Sequence, residues 1–349
     1  MTADDAVLDP RVLREAVLVK LDRRVRTQGE LVLPAAPSLL EVYIERLSQM
    51  FASLGKALSH EEVLKLSDLL GSRLREGFET SAACRVHLKW ESEAWPATGL
   101  DYLIWLESMT LQEQYDEWAA SKEPPLFGAH PDAKVMAVTE TLGHLGRERM
   151  ILDVGAGTGR NTLPLARLGY STHALEITER FCAAIEAEAQ AEALPIKVVR
   201  GSALDAQAEL ARGDYALVVC SEVTTHFCGQ ADLRKLFEQV REWLCVGGLF
   251  LVNAFVAHDG YEPDPIVREI SRLVWSTIYT RDDLAASYAG LGLELVSDEA
   301  VYAYEKQRLP EADWPPTGWF EDWTRGYNCF ALSDGTPPMQ LRWLLFRRV

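Results

Sequence analysis

Closely spaced cysteine pairs are absent from this sequence. Its six cysteines, at positions 84, 182, 220, 228, 245 and 329, form no C-x-x-C pair, and such pairs are a usual sequence signature of zinc sites and redox motifs. Scattered thiols also argue against a disulfide framework and are typical of proteins kept reduced in the cytosol. We therefore predict a cytoplasmic protein without a bound metal.

Long apolar runs and positive charge are scarce as well. No run of about 18 apolar residues is present to span a membrane, and the first six residues lack the basic and then apolar pattern of a signal peptide. The 35 basic residues are outnumbered by 52 acidic ones, which leaves a formal net charge of −17. Because this charge repels polyanions, nucleic-acid partners are disfavoured.

Glycine, by contrast, is concentrated in one informative segment. From Met150 an apolar run passes through Asp153 into glycines at 155, 157 and 159. The pattern predicts a buried parallel strand, a tight glycine loop whose backbone approaches a ligand, and a helix over Asn161–Leu168. A second predicted strand ends at Glu176, where a carboxylate can accept both hydroxyls of a ribose. The sequence therefore predicts a cofactor that contains a nucleoside.

The spacing of the glycine loop narrows the choice of cofactor. It is one residue tighter than the dinucleotide fingerprint G-x-G-x-x-G, and no Lys-Ser or Lys-Thr pair follows it, as a P-loop would require. The alternative is a plain strand-to-helix turn with no ligand. Further segments follow the loop in the order that a cofactor-binding domain would have, and they favour a bound cofactor over such a turn.

From about residue 150 to 300 the chain resembles the class I S-adenosylmethionine-dependent methyltransferases. The segment 153–159 resembles the first motif of that family, and Glu176 its ribose-binding acid. Segment 197–205 matches the third strand and the turn near adenine, with Ser202 where Asp is common. Segments 214–227 and 243–252 match the fourth strand with its substrate-facing loop and the Gly-Gly turn with the fifth strand.

This resemblance implies an α/β fold, a Rossmann-like seven-stranded and mostly parallel sheet, that binds S-adenosylmethionine. The cofactor-binding residues that it implies are Tyr115, Asp153, Gly155, Ala156, Gly157, Thr158, Gly159, Asn161, Glu176, Ile177, Ser202, Ala203, Leu204, Cys220 and Ser221.

The length of 349 residues predicts two domains. Residues 121–349 are expected to form the methyltransferase domain, and residues 1–120 an N-terminal α+β accessory domain. Capping-box motifs at Ser38 and Ser59 predict two helices in the accessory part, and the alternating segments 85–90 and 100–106 predict a hairpin. In enzymes of this family such additions often cap the substrate or form a homodimer; stabilisation of the fold alone is the alternative.

Aromatic residues gather outside the shared motifs. Related enzymes often place an aromatic side chain from an upstream helix against the sulfonium, as Tyr115 or Trp118 could do here, although both could simply anchor that helix. An aromatic insert at about 303–338 precedes the closing strand and predicts either a substrate wall or a satellite core. Our candidates for substrate binding are Trp118, Phe127, Trp319, Trp323 and Arg325.

An oxygen or nitrogen acceptor must lose a proton during methyl transfer. His226 is the first candidate base because it follows the fourth predicted strand at the ligand-binding edge and histidine titrates near neutral pH. Glu222 in the same loop is the second candidate, and His258 beyond the fifth strand is the third. The alternative for His226 is a structural hydrogen bond.

These observations predict an S-adenosylmethionine-dependent methyltransferase that acts on a small molecule, such as a precursor of a secondary metabolite. Three alternatives stay open. The enzyme could modify a protein or peptide side chain, the chain could bind the cofactor without catalysis, or it could be an NAD-dependent oxidoreductase. The sequence does not distinguish oxygen, nitrogen, carbon and sulfur as the acceptor atom.

Overall fold

The computed structural model describes residues 9–22, 24–93, 99–205 and 210–349. They belong to two compact units, Met1–Leu111 and Gln112–Val349, and each unit contains its own apolar core. The first six residues, on which the expectation about a signal peptide depends, lie outside the described residues.

The first unit combines helices with an antiparallel sheet, as predicted for the accessory region. Its three strands pair in the order β1, β2, β3. The elements are α1 (Pro10–Asp22), β1 (Gln28–Pro34), α2 (Leu40–Ser53), α3 (His60–Thr80), β2 (Arg85–Ser92) and β3 (Leu100–Glu107).

Two details of this unit differ from the sequence prediction. α2 begins at Leu40, after a 3-10 turn over Pro37–Leu39, because proline suits the first position of a helical turn and starts it before Ser38. β1 was not predicted, since Val32 is apolar yet exposed and hides the alternation of buried and exposed positions. The second capping box does form, between Ser59 and Glu62.

His87 joins all three strands of this sheet. Its Nδ1 lies 2.7 Å from Glu30 Oε1, its Nε2 lies 2.8 Å from Glu107 Oε2, and its ring stacks on Trp105 at a centroid distance of 4.8 Å. Hydrogen bonds to the two carboxylates raise the pKa of His87. The imidazolium is therefore favoured in the folded state.

This arrangement predicts pH-dependent stability. A histidine whose pKa is raised on folding adds stability below its unfolded pKa of about 6.5, and that contribution is lost as the pH rises through the folded pKa. We expect His87→Gln to lower the unfolding free energy by about 1 kcal/mol at pH 5.5 and by much less at pH 9. Urea unfolding at both pH values measures the difference. His60→Gln, at the start of α3, is the control, and an equal loss for His87→Gln at both pH values would contradict the assignment.

The second unit is built on one large sheet. Its strands are β4 (Met150–Val154), β5 (Thr172–Glu176), β6 (Ile196–Arg200), β7 (Tyr215–Cys220), β8 (Leu244–Ala257), β9 (Ile278–Tyr279), β10 (Leu293–Ala300) and β11 (Met339–Arg348). Seven of them follow the order β10-β11-β8-β7-β4-β5-β6, and the two-residue β9 pairs with β8. In the described sheet β11 runs antiparallel to both of its neighbours, β10 and β8, and the other pairings are parallel. The predicted seven-stranded, mostly parallel sheet is confirmed, with β9 as an addition.

Helices accompany this sheet, and apolar clusters bury both of its faces. Ile151 and Leu152, adjacent on β4, belong to different clusters, because successive side chains of a strand point to opposite faces. The helices are α4 (Leu111–Ala120), α5 (Ala133–Glu140), α6 (Gly143–Glu148), α7 (Thr162–Arg167), α8 (Glu179–Ala191), α9 (Gln230–Trp243), α10 (Pro265–Leu273), α11 (Arg281–Tyr288), α12 (Val301–Arg308) and α13 (Phe320–Thr324).

Nearly all of α4 belongs to the second unit, whereas the sequence placed the domain boundary after residue 120. The reason is a set of ring contacts. Tyr115 on α4 lies near Phe127, Phe181, His226 and Trp275 of the same unit, at centroid distances of 5.5 to 6.2 Å. These contacts bring α4 to the carboxyl edge of the large sheet.

No helix among the described residues is long and apolar enough to cross a membrane.

Candidate functional site

The glycine loop follows β4 at the carboxyl edge of the sheet. Gly155, Gly157 and Gly159 have φ values of 71°, 54° and 88°, which residues with a Cβ rarely adopt. A Cβ at Gly155 would also lie 2.2 Å from Val223 Cγ2. Glycine is therefore required at Gly155 by both conformation and space.

Glu176 ends β5 beside this loop and is buried. Its Oε2 accepts the Gly157 N–H at 2.8 Å, and its Oε1 accepts the Thr178 N–H at 2.8 Å. A carboxylate has about four acceptor positions, so these two bonds leave capacity for two hydroxyl donors. Thus Glu176 holds the glycine loop in place and remains able to bind a ribose.

The turn after β6 is connected to the same strand end. The Gly201 N–H donates to the Glu176 carbonyl at 2.9 Å, and Ser202 Oγ accepts the Leu204 N–H at 3.1 Å. Ala203 and Leu204 are half-buried and pack against the apolar core. The structure thus brings the predicted adenine turn next to the predicted ribose site.

Two predicted cofactor residues lie inside the fold. Cys220, the last residue of β7, is fully buried in the apolar core and offers no surface to a ligand. Asp153 is also buried and accepts a hydrogen bond from Thr162 Oγ1 at 2.6 Å. Burial raises the pKa of Asp153 to about 6. Asp153 thus links β4 to the start of α7. The remaining loop positions, Ala156 and Thr158, and Ile177 after β5, stay beside Glu176 and the glycines.

A buried ionic cluster, which we call the Arg160 cluster, consists of Asp132, Arg160 and Glu222. The Arg160 guanidinium donates to Asp132 and, at 2.9 Å, to Glu222 Oε1. Asp132 Oδ2 also accepts hydrogen bonds from Asn161 Nδ2 and Ser221 Oγ, both at 2.9 Å. Asn161 and Ser221, predicted to bind the cofactor, therefore position Asp132.

Neither Asp132 nor Arg160 was predicted as a site residue. Asp132 precedes α5 directly, a position where aspartate is common as a helix cap, but its side chain makes no capping hydrogen bond and binds Arg160 instead. Arg160 directly follows the last glycine of the loop, so its place in the first motif was a usable signal.

Glu222 has an unusual backbone and an unusual environment. Its φ is 63°, and its N–H donates to Asn253 Oδ1 at 2.7 Å. Strained non-glycine residues of this kind often lie at functional sites. Burial raises the pKa of Glu222 above its ordinary value, while Arg160 opposes the shift and Asp132 adds to it. Two carboxylates share one guanidinium, which leaves the cluster with excess negative charge.

His226 lies in the 3-10 turn Thr224–His226 after β7. Its Nε2 is 2.8 Å from the Tyr115 hydroxyl. Burial raises the pKa of Tyr115 and lowers that of His226 to about 4, so a protonated tyrosine and a neutral imidazole share this hydrogen bond. The predicted first candidate base is therefore weakly basic, and its Nε2 is occupied by the bond to Tyr115. Glu222 is better suited to accept a proton near neutral pH.

Six rings contact one another beside the glycine loop, and we call them the aromatic cluster: Tyr115, Trp118, Phe127, Phe181, His226 and Trp275. Tyr115 is within 6.2 Å of the other five ring centroids. A Cβ at Gly157 would lie 3.2 Å from the Phe127 ring, so a ligand that reaches the Gly157 backbone must share or take the space of this ring. The predicted Tyr115, Trp118 and Phe127 are thus brought together, and Trp275 joins them without having been predicted.

Trp323 connects the aromatic insert to the site. Trp323 is buried, packs edge-on against Phe255 at 5.2 Å, and donates its indole N–H to the Trp275 carbonyl at 3.2 Å. Trp319 packs against Trp323 and is partly exposed. Trp323 therefore packs as the satellite-core alternative predicts, and it contacts the site through its hydrogen bond to Trp275.

Two other candidates lie apart from the aromatic cluster. The Arg325 guanidinium stacks between the rings of Tyr302 and Tyr327, at 5.2 and 5.0 Å. The His258 N–H donates to the Pro338 carbonyl at 3.0 Å, and within the described residues no hydrogen bond or ring contact joins His258 to Glu222 or His226. The structure therefore gives neither residue a place in the site.

The strand order, the positive-φ glycine loop and Glu176 at the tip of the neighbouring strand together form the arrangement that the sequence resemblance implied. Residues 151–248 also match a family model described as Methyltransferase domain. The second unit, Gln112–Val349, has the fold of the class I methyltransferases and contains this matched segment; we call it the methyltransferase domain. S-Adenosylmethionine is the cofactor of this family, and the methyltransferase domain fits it, since Glu176 retains free acceptor capacity beside a loop that only glycine can form.

One individual protein has a similar sequence over part of the chain. A protein of Geobacillus sp. (strain WCH70), provisionally named a methyltransferase, is 24% identical over 187 residues, which are 54% of this chain and 65% of the relative. The match thus spans just under two thirds of the relative.

Two solved structures resemble the methyltransferase domain in fold. One is geranyl diphosphate C-methyltransferase from Streptomyces coelicolor A3(2), with 15% identity, a TM-score of 0.46, and coverage of 70% of this chain and 100% of that chain. The other is a protein from Galdieria sulphuraria, provisionally named a sarcosine dimethylglycine methyltransferase, with 18% identity, a TM-score of 0.48, and coverage of 67% and 97%. Likeness at this level carries no substrate over to this chain.

Among the described residues, no group of three or more histidine, cysteine, aspartate or glutamate side chains is arranged to hold a metal ion.

Proposed function

We propose that this protein transfers a methyl group from S-adenosylmethionine to a small, uncharged acceptor through an oxygen or nitrogen atom. The aromatic cluster beside the glycine loop carries this proposal. Tyr115, Phe127 and Trp275 are half-buried and in contact with one another through Tyr115, and Phe127 lies against Gly157 of the loop, which favours a small molecule over a protein side chain. Open α/β sheets bind their ligands at this edge.

The cofactor supplies a methyl group on a cationic sulfonium. The glycine-loop backbone and Glu176 would hold its methionine and ribose parts. Asp132 and Glu222 share a single guanidinium, and Glu176 adds a further carboxylate at the end of β5; this excess of negative charge is complementary to a cationic donor. Holding donor and acceptor in line can supply about 7 to 11 kcal/mol of the barrier.

Glu222 is the residue that we assign as the general base. Its carboxylate lies at the carboxyl edge of β7, and its raised pKa brings its titration closer to neutral pH than that of an ordinary glutamate. His226 would then orient the Tyr115 hydroxyl through their 2.8 Å hydrogen bond. A phosphorylated acceptor would face Glu222 and Glu176, which is why we propose an uncharged one.

Calorimetric titration of the protein with S-adenosylmethionine and with NAD tests the cofactor. Incubation of fractionated lysate with methyl-labelled donor then shows whether label enters small molecules or macromolecules. Label in small molecules supports the proposal, and label in protein favours the peptide alternative. Cofactor binding without transfer to any fraction would indicate a binding protein, and NAD binding in place of S-adenosylmethionine an oxidoreductase.

The role of Glu176 is testable by the same titration. We expect Glu176→Gln to weaken S-adenosylmethionine binding about 10- to 100-fold, because hydrogen bonds to a charged group contribute about 1.5 to 3 kcal/mol. Glu179→Gln is the matched control, since Glu179 on the neighbouring helix is exposed and pairs with Arg200 at 2.6 Å. Equal S-adenosylmethionine affinities for the two variants would show that Glu176 does not bind the cofactor.

A further inference from the structure

Trp275 has a backbone conformation that its residue type rarely adopts. Its φ is 55°, in the left-handed region that disfavours large side chains. Such residues persist only where the surrounding structure holds them, and they are frequent at ligand sites. The surroundings of Trp275 must therefore hold its backbone in this conformation.

Hydrogen bonds fix the backbone around Trp275. Its N–H donates to the Arg272 carbonyl and its carbonyl accepts from Trp323 Nε1, both at 3.2 Å. Next to it, Thr277 Oγ1 donates to the carbonyls of Thr225 and Phe227, at 3.0 and 2.8 Å. The segment is thus tied to α10, to the insert and to the loop after β7.

The ring of Trp275 is directed to the aromatic cluster and not to the apolar core. Its centroid lies 5.7 Å from that of Tyr115 and 5.4 Å from that of His226. The residue is half-buried and lies outside both core clusters of the large sheet. The unusual backbone therefore presents a large flat surface beside the Tyr115–His226 pair.

We propose that Trp275 determines acceptor specificity and that its indole, with the Tyr115 ring, forms a wall that selects planar, unsaturated acceptors. Flat rings stack offset or edge-on against aromatic faces, an arrangement that a puckered saturated ring cannot reproduce. Trp323 of the insert is a positioning residue for Trp275 through its indole N–H. This inference depends on the proposed function and specifies its acceptor class.

Two alcohols with the same carbon skeleton test the selection: 2-naphthol, which is planar, and decahydro-2-naphthol, which is saturated. Their dissociation constants are measured by calorimetry in the presence of S-adenosylhomocysteine. We expect the wild-type protein to bind 2-naphthol at least about tenfold more tightly, consistent with the energy of one or two aromatic contacts.

The variants separate specificity from folding. Trp275→Ala is expected to reduce the preference to less than about threefold, and Trp275→Phe to retain most of it. Trp323→Phe keeps the ring but loses the N–H donor, so it should weaken 2-naphthol binding while leaving decahydro-2-naphthol and S-adenosylhomocysteine binding unchanged. Ala193→Gly relaxes a residue with a φ of 53° outside the site and should leave the preference unchanged.

Two outcomes would overturn the inference: no preference in the wild-type protein, or a preference that Trp275→Ala retains. If S-adenosylhomocysteine binds normally in either case, the proposed methyltransferase function stands and only the acceptor class is wrong. Failure of the wild-type protein to bind S-adenosylmethionine or S-adenosylhomocysteine would overturn both.

Discussion

Replacement of Gly155 by alanine is expected to lower the affinity for S-adenosylmethionine by at least about 30-fold. The new Cβ would lie 2.2 Å from Val223 Cγ2 while φ stays near 71°. Valine is stiff at χ1, so the loop must move. Left-handed backbone costs about 1 to 2 kcal/mol and overpacking about 1 to 3 kcal/mol, and each 1.4 kcal/mol is tenfold in binding.

Gly169→Ala is the matched control for this substitution. Gly169 has a φ of 88°, but nothing lies within 4 Å of the position its Cβ would take. Both variants carry the conformational cost, whereas only Gly155→Ala meets Val223. Calorimetric titration should show near-normal affinity for Gly169→Ala and partial recovery for Gly155→Ala combined with Val223→Ala. Equal losses in the two single variants would mean that the contact with Val223 is unimportant.

Glu222→Gln is expected to lower kcat about 10²- to 10³-fold, because general-base catalysis contributes about 10²- to 10⁴-fold. His226→Gln should lower kcat less than about tenfold, since the imidazole, with a pKa of about 4, is too weak a base to account for more. S-Adenosylhomocysteine, which lacks the sulfonium charge, should bind within about threefold of the wild type in both variants, because Glu176 and the glycine loop are unchanged.

The pH dependence of kcat/KM provides a second test of Glu222 as the base. A base must be deprotonated, so wild-type kcat/KM should fall as the pH decreases through the pKa of Glu222, which burial raises. The acidic limb is expected above the ordinary glutamate pKa of about 4.3, and Glu222→Gln should abolish it. Partial recovery in Glu222→Asp would confirm a carboxylate role, whereas a larger loss in His226→Gln would reverse the assignment.

The features that the sequence predicted correctly are those with a local physical signature. A glycine loop needs positive φ whatever surrounds it, and a parallel strand buried on both faces reads as an apolar run, as Met150–Val154 does. Glu176 lies at the tip of β5, as predicted, because the apolar run before it marks the strand that it ends. Strand order followed from the ordered set of family segments.

The parts that the sequence missed depend on contacts between distant residues. Tyr115 and His226 are 111 positions apart, and Asp132 and Ser221 are 89 apart. No periodicity relates such pairs. Sequence reasoning ranked His226 above Glu222 from ordinary pKa values, but burial lowers the pKa of the histidine and raises that of the glutamate, which is why we propose Glu222 as the base.

By itself, the sequence determined the fold and the positions of the glycine loop and Glu176 within it, because these are short segments whose conformations depend mainly on their own residues. Only the tertiary structure showed which side chains meet at the proposed acceptor side. There, α4, the loop after β7 and the segment at Trp275 come from separate parts of the chain. Their proximity and burial arise because the carboxyl ends of the parallel strands lie along one edge of the sheet, where the segments that follow them meet.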